Sequence, residues 1–406
     1  MIPLAEMQEL VLGSVRRLDP VEVGLREALG LVLATDVVTR EAVPPFANTG
    51  MDGYAVRAAD TADAVPGAPV RLDVVGELPA GAAPSTPVGP GEAIRIMTGA
   101  PMPDGADAVV MVERTAPAAG GGVLVERAAK VGEHVRPAAG DLAAGDLVFP
   151  AGTRLGPAHL GVLASVGVRD APVVRRARVG VMSTGDELVE RGPLAPGQIR
   201  ESNRPMLLGL LADAGVEPVD LGTAPDDEAI ITRTLEDALA SCDAILTSGG
   251  VSVGDYDFVK AALDRLGELS WRQVAIKPAK PIAFGIVAGR PVFGLPGNPV
   301  SSLVSFELFA RPALLQMMGN EHRFRPVVCA TTESPMLRRS DGKLHLDRVR
   351  VTHRDGRYYA GRSGPQYSNV LSATAAANGL ALLPDGDGVA EGGDVDVMRL
   401  DWPADH

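Results

Sequence analysis

The sequence predicts a multidomain protein of α/β plus β class, centred on a doubly wound, mainly parallel sheet. Three observations carry this. Between residues 176 and 324, short apolar runs alternate with stretches of ten or more residues at helical spacing, the pattern of parallel strands joined by crossover helices. On either side, from Pro69 to Val148 and again beyond Arg325, the runs are short and separated by Gly- and Pro-rich turns, the pattern of antiparallel strands. Finally, 406 residues are too many for one ordinary core.

The expected division is a helical N-terminal and linker part over 1–45, completed by 140–175; an inserted β-rich domain over 46–139; the α/β domain over 176–324; and a barrel-like β domain over 325–406. Ala5 to Leu18 places Met7, Leu10, Val11, Val15 and Leu18 at helical spacing. Val21 to Leu29 reads as a helix, and GLVLATDVV as the strand after it. Pro44 and Pro45 stop regular structure, so Asn48 to Asp52 read as an exposed turn. VRLDVVGEL, EAIRIMTGAPMP, DAVVMVERT and GGVLVERA follow as short strands. Pro157 to Val166 reads as a helix returning the chain to the N-terminal helix, which makes the first domain discontinuous.

Beyond Arg178 the order is strand (ARVGVMST), helix (ESNRPMLLGLLADAG, with Ser202 or Asn203 as cap) and strand (VEPVDLGTA). A helix rich in acids at its start comes next, with Asp227 as cap, where the dipole favours negative charge. A strand from Cys242, a helix (YDFVKAALDRLG), the strands of WRQVAIKP, PIAFGIVAG and PVFGLPG, and a long helix complete the set. Alternation in LHLDRVRV argues for half-buried antiparallel strands.

The net charge of −13 argues against a nucleic-acid partner, which needs a basic face, and aromatics at 4% leave no base-stacking platform. No apolar run reaches membrane-spanning length, and the first residues lack the basic region of a signal peptide. Cys242 and Cys329 suit neither a disulfide framework nor a zinc site; both read as buried, inert thiols of a cytoplasmic protein.

The stretch from Cys242 to Pro299 carries the chemistry. A small apolar strand ends in Ser248-Gly249-Gly250, and Ser252, Gly254, Asp255 and Asp257 follow. Glycines after a strand let backbone N–H groups approach an anion. Carboxylates beside an anion need a divalent cation to offset them. Only five of the 38 basic residues are lysines, and two, Lys277 and Lys280, sit in KPAKP. Proline stiffens the backbone around both. The bland reading is a solvated loop. Leu295-Pro296-Gly297-Asn298-Pro299 then leads into a helix that Asn298, Ser301 or Ser302 could cap, with a first turn suited to an anion. Because Thr184 to Glu187, Ser248 to Asp255 and Leu295 to Pro299 all follow strands, they can share one edge of the sheet.

SGGVSVGDYD, KPAKP and LPGNP together resemble the molybdopterin-binding fold. With MDGYA at Met51 to Ala55, the segment around Thr98-Gly99 and the TGDEL turn, the whole chain is similar to the molybdopterin molybdenumtransferase family of molybdenum cofactor biosynthesis, which includes the E domain of gephyrin. Ala47-Asn48-Thr49-Gly50 departs from the commoner wording of its turn.

The resemblance implies that adenylylated molybdopterin and molybdate react to give molybdenum cofactor and AMP. Asp226 and Asp255 would hold Mg²⁺ or another divalent ion, and Lys277 and Lys280 would neutralise phosphate or molybdate. Arg348, Ser368 and the turn Pro296, Gly297, Asn298, Pro299 and Ser301 would bind the oxyanion. Ser248, Gly249, Gly250, Ser252 and Gly254 would bind substrate, and Asp52, Thr98, Asp141 and Glu187 would complete the cleft. Several of these have ordinary readings: Asp52 and Asp141 as turn residues, Glu187 as a surface acid, Asp226 as a helix-start acid, Arg348 as a solvated strand residue. The family also implies a homodimer with a cleft shared between subunits, and molybdopterin adenylyltransferase and apo-molybdoenzymes as partners. The competing functions are a molybdopterin adenylyltransferase-like enzyme and a non-catalytic scaffold of the same fold.

Overall fold

The computed structural model describes residues 1–249, 258–267 and 269–400. They form two compact units, one of Met1–Val21, Gly30–Ala34 and Pro172 onward, the other of Glu22–Leu29 and Thr35–Ala171.

The first unit is built on a six-stranded sheet of β1 (Arg178–Thr184), β2 (Glu217–Ala224), β3 (Ala244–Ser248), β4 (Leu269–Gln273), β5 (Pro281–Val287) and β6 (Arg290–Leu295). Their spatial order is β2-β1-β3-β6-β5-β4. The first four in that order are parallel, and β5 runs antiparallel to both its neighbours. Side chains alternate faces along a strand. Val179, Val181, Leu246, Phe293 and Leu295 therefore meet Leu207 and Leu211 of one helix and Phe306 and Phe309 of another. Met182, Ile245 and Val292 meet Ile231, Leu235, Val259 and Leu263 on the other face. Both faces are covered, so the central strands read as continuous apolar runs. Each buried Phe of the first layer contributes about 1.5–3 kcal/mol.

The long helix after β6 starts at Pro299, passes through one π turn at Phe306–Ala310 and ends at Met317. The N-terminal helix, Leu4–Ser14, buries Met7 and Val11 in the same layer, and Gln316 Nε2 donates to Leu12 O across the contact.

The C-terminal strands close a five-stranded barrel. Leu344–Arg354 pairs with Arg357–Arg362, then come Val327–Thr332, Asp394–Arg399 and Gly379–Leu383, which returns to Leu344–Arg354. Closure leaves no open edge among these five. Within LHLDRVRV the expected polar-out alternation fails: His345, Asp347 and Arg348 are all buried. Each is buried with a partner, His345 on Asp341, Asp347 on Arg362 and Arg348 on the loop 365–370.

The second unit contains a six-stranded sheet ordered Ala108–Met111, Gly53–Val56, Glu92–Ile96, Val70–Leu78, Gly122–Val125, Thr115–Ala118. Two features differ from the sequence-based expectation. Val21 to Leu29 forms no helix: Pro20–Gly24 is a strand followed by turns, because Pro20 and the β-branched Val21 and Val23 favour extended backbone. Cys242 is buried as expected, but Cys329 is exposed.

Candidate functional site

Four parallel strands end in one row. Thr184 of β1 lies opposite Ala224 of β2, Ser183 opposite Ser248 of β3, and Ser248 opposite Leu295 of β6. The chain leaves β1 for β2 on one side and returns to β3 on the other, so the crevice between β1 and β3 is the switch point where such sheets bind ligands. At this row the topology gathers the turn Gly185 to Glu187, Asp226 after β2, Ser248 and Gly249, and the turn Pro296 to Asn298.

The turns are tied together. Gly249 donates its N–H to Leu295 O at 3.2 Å and has φ +96°; a Cβ there would lie 3.0 Å from Thr184 O, so the close approach requires glycine. Asp226 donates its N–H to Asp186 Oδ1 at 3.2 Å, linking the ends of β1 and β2 through Asp186 and not through Glu187. The side chains of Glu187 and Asp226 stand on exposed residues. Asp227 caps its helix, accepting from Ile230 N–H at 3.0 Å. Asn203, one of the two cap candidates, does something else. Its Nδ2 donates to Ser248 Oγ and to Gly297 O, each at 2.7 Å, and bridges two strand ends. Glu201 Oε1 serves the helix start instead, accepting from Asn203 N–H and Arg204 N–H at 2.7 and 3.0 Å. Asn298 occupies the cap position of the long helix without a side-chain cap bond, and Ser301 and Ser302 are buried within it.

The lysines come to the same edge by register. Gln273 at the end of β4 faces Pro281, and Ala283 faces Gly294, so the segment between β4 and β5 emerges beside the turn after β6. Lys277 and Lys280 are exposed there, and neither forms an ion pair among the described residues. Ile276 and Lys277 pair in parallel with Leu344 and His345 of the barrel, which anchors this segment to a second scaffold. His345 has its pKa lowered, first by burial and also by Arg338 and Lys277, against the opposing pull of Asp341. It is therefore neutral at neutral pH.

From the barrel comes the loop that carries Ser368, whose carbonyl accepts from Val300 N–H at 3.3 Å. Arg348 does not stand free in the manner of an oxyanion ligand. It is 1% exposed, and its guanidinium donates to Gln366 Oε1 (3.2 Å), Tyr367 O (3.1 Å), Val370 O (3.2 Å) and Pro365 O (2.9 Å). Gln366 returns the contact, with Nε2 donating to Arg348 O at 3.1 Å. Burial lowers the pKa of Arg348, opposed by Asp347. The solvated-strand reading fails as well: Arg348 is a buried brace for the Ser368 loop.

In the second unit Asp52 Oδ1 accepts from both the N–H and the hydroxyl of Thr98, each at 2.7 Å. These bonds, with Arg95 nearby, hold its carboxyl below the usual range. Asp141 is exposed, its N–H bound to Val43 O at 2.9 Å, and no contact among the described residues joins it to Asp52 or Thr98. Gly250, Ser252, Gly254 and Asp255 lie outside the described residues.

No cluster of three His, Cys, Asp or Glu side chains suited to a metal occurs among the described residues. Mg²⁺ needs no such cage, since one or two carboxylates plus substrate phosphates suffice. Asp226, an exposed hard-oxygen donor at the strand-end row, fits that requirement. Among the described residues, no helix is long and apolar enough to cross a membrane.

Glycine turns gathered at the switch point of a doubly wound sheet, with two lysines beside them, define an α/β protein with an anion-receptive sheet edge, and residues 180–316 match the probable molybdopterin binding domain. Residues 2–167 match the MoeA N-terminal region (domain I and II) and residues 336–400 the MoeA C-terminal region (domain IV). The chain is 43% identical over 397 residues to molybdopterin molybdenumtransferase 2 of Mycobacterium tuberculosis, covering 94% of this chain and 95% of that one. It is 36% identical to the molybdopterin molybdenumtransferase of Haemophilus influenzae, with 91% of each covered. The molybdopterin biosynthesis MoeA protein of Pyrococcus horikoshii superposes with TM-score 0.85 at 32% identity, over 99% of this chain and 100% of that one. The chain belongs to the MoeA family of molybdopterin molybdenumtransferases, and it is a transferase of molybdenum cofactor biosynthesis.

Proposed function

We propose that the chain transfers molybdenum from molybdate to adenylylated molybdopterin, releasing AMP and forming molybdenum cofactor. The observation that supports this most is the shared row of Thr184, Ala224, Ser248 and Leu295, which gathers four turns and two lysines at one sheet edge. In this reading Gly249 and the Pro296 to Asn298 turn admit the pyrophosphate-like linkage close to the backbone. Lys277 and Lys280 neutralise charge that develops as the phosphate bond breaks, where fixed cations act most strongly. Ser368, placed by Arg348, and the start of the Pro299 helix with Ser301 orient the molybdate. Holding molybdate close to the reacting dithiolene sulfurs is the main source of rate, because proximity replaces a bimolecular encounter.

Mg²⁺ held by Asp226, with Asp255, would polarise the phosphoryl oxygens and offset the carboxylates. Asp52, its pKa lowered by the two hydrogen bonds from Thr98, with Asp141 and Glu187, supplies further polar groups to the reaction. The proposal includes a homodimer: an Asp52→Ala chain and a Lys280→Ala chain, mixed as verified heterodimers, are expected to recover part of the activity.

The test is AMP release from adenylylated molybdopterin, with molybdate and Mg²⁺ each present or omitted. Molybdate-dependent release by the wild type, lost in Lys280→Ala and Asp226→Asn, is expected. Consumption of ATP with molybdopterin instead would establish the adenylyltransferase reading. No release by folded protein with every component present would sink the proposal.

A further inference from the structure

From the geometry of Asn203 we infer a positioning residue for the strand-end site, one that fixes the Ser248-Gly249 turn against the Pro296 to Asn298 turn. Asn203 is 8% exposed and opens the helix Asn203–Asp213. Its amide nitrogen has two hydrogens, and both are used across the crevice: one on Ser248 Oγ, 45 residues away, the other on Gly297 O, 94 residues away. The residue is itself held by Glu201 Oε1 through its backbone N–H. Its neighbour Arg204 pairs with Glu190 and Asp220, so the helix start is braced against the β1–β2 side of the sheet. Asn203 is thus fixed on one side and reaches to β3 and β6 on the other.

Two consequences for the site follow. With a donor on its oxygen, the Ser248 hydroxyl turns its own hydrogen away from Asn203. With the Gly297 carbonyl turned toward Asn203, the N–H of Asn298 in the same trans peptide points the opposite way. Asn203 therefore sets the orientation of one hydroxyl and one backbone donor without touching substrate. A Cβ on Gly297 would come within 3.9 Å of Gly249 Cα, so the two turns are close enough for a small shift to alter both.

The inference rests on the proposed reaction for its kinetic consequence, and on geometry alone for its structural one, so the two are tested separately. Amide exchange by mass spectrometry on Asn203→Ala and Asn203→Asp should rise at Gly249, whose N–H is bound to Leu295 O, while the barrel peptides stay unchanged. AMP release should show kcat falling about tenfold to a hundredfold, the range expected for groups displaced by up to an ångström, with KM for adenylylated molybdopterin changed less. Asn203→Asp should be as impaired as Asn203→Ala, since a carboxylate keeps the shape but cannot donate to Gly297 O. Asn203→Ala should cost less in a Ser248→Ala background than in the wild type, because one of its two partners is already gone. Unchanged exchange at Gly249 in both variants, or kcat within twofold of wild type in both, overturns the inference. If wild type releases no AMP, the reaction is wrong, and the exchange result at Gly249 alone decides whether Asn203 couples the turns.

Discussion

Replacing Arg348 with Met tests whether this side chain braces the barrel loop or binds the oxyanion directly. Arg348 makes four side-chain hydrogen bonds to the segment Pro365 to Val370, and no carboxylate is among the acceptors. Hydrogen bonds from a charged donor contribute about 1.5–3 kcal/mol each. The sum overstates the loss. Met removes a buried charge whose desolvation opposes folding, and Pro365 and Tyr367 are exposed enough for water to reach their carbonyls. A net loss of about 3 kcal/mol in the local opening of the loop is the balance expected for breaking a buried polar network. At 1.4 kcal/mol per factor of ten, that is roughly a hundredfold faster exchange.

The reporters are the amides of Ser363, bound to Arg348 O, Val370, bound to Tyr367 O, and Val300, bound to Ser368 O. Amide exchange is the right assay because a chain with two compact units has no single unfolding free energy. Arg348→Met should accelerate all three and lower AMP release through the displaced Ser368. If it abolished molybdate-dependent release while leaving exchange at the three amides within about threefold of wild type, the bracing argument would be refuted and the direct oxyanion role restored.

Gly249→Ala forces a side chain onto φ +96° with its Cβ 3.0 Å from Thr184 O; a strain of about 1–2 kcal/mol and a clear loss of turnover are expected in a chain that still folds, checked by amide exchange around the turn beside AMP release. His345 has a lowered pKa, so the unfolded chain takes up its proton first: its contribution to stability is complete above the unfolded value of 6.5 and declines as pH falls below it. His345→Gln should therefore flatten the drop in exchange protection of the barrel amides between pH 7 and pH 5, and an unaltered slope would show that burial does not suppress this protonation. Thr98→Val removes the hydroxyl donor to Asp52, so the Asp52 pKa should move up toward its ordinary 3.8 in a carboxyl NMR titration. In wild type the contribution of Asp52 to stability is present above that ordinary value and is lost as pH falls through the lower, folded one.

The strands and helices of the central sheet were legible because their apolar periods are long and both faces are covered. The candidate site was legible in part, since topology brings the ends of parallel strands to one edge whatever the sequence distance between them. Two kinds of feature were not legible. Val21 to Leu29 lacks a sustained helical period, and two β-branched residues behind a proline decided the local outcome. Arg348 sits in an alternating strand that reads as solvated, but three of its four side-chain acceptors are backbone carbonyls 17 to 22 residues away, which no side-chain pattern announces. Asn203 gave a signal, an Asn at a helix start, and the signal pointed to capping; Glu201 had already taken that task.

These cases share a cause that bears on how the site works. Each strand of the row ends in its own turn, and turns joined only by a backbone ladder at one end are free to shift independently. Asn203 and the Arg348–Gln366 pair remove that freedom, the first between Ser248 and Gly297, the second beneath Ser368 and hence against Val300. Their polar groups are buried, where a hydrogen bond gains strength and an unmade one costs about 1–3 kcal/mol. Asn203 Oδ1 is buried and has no partner among the described residues. Retaining the amide makes physical sense if both of its hydrogens are needed where they are, holding two turns in one register for a ligand that must meet both.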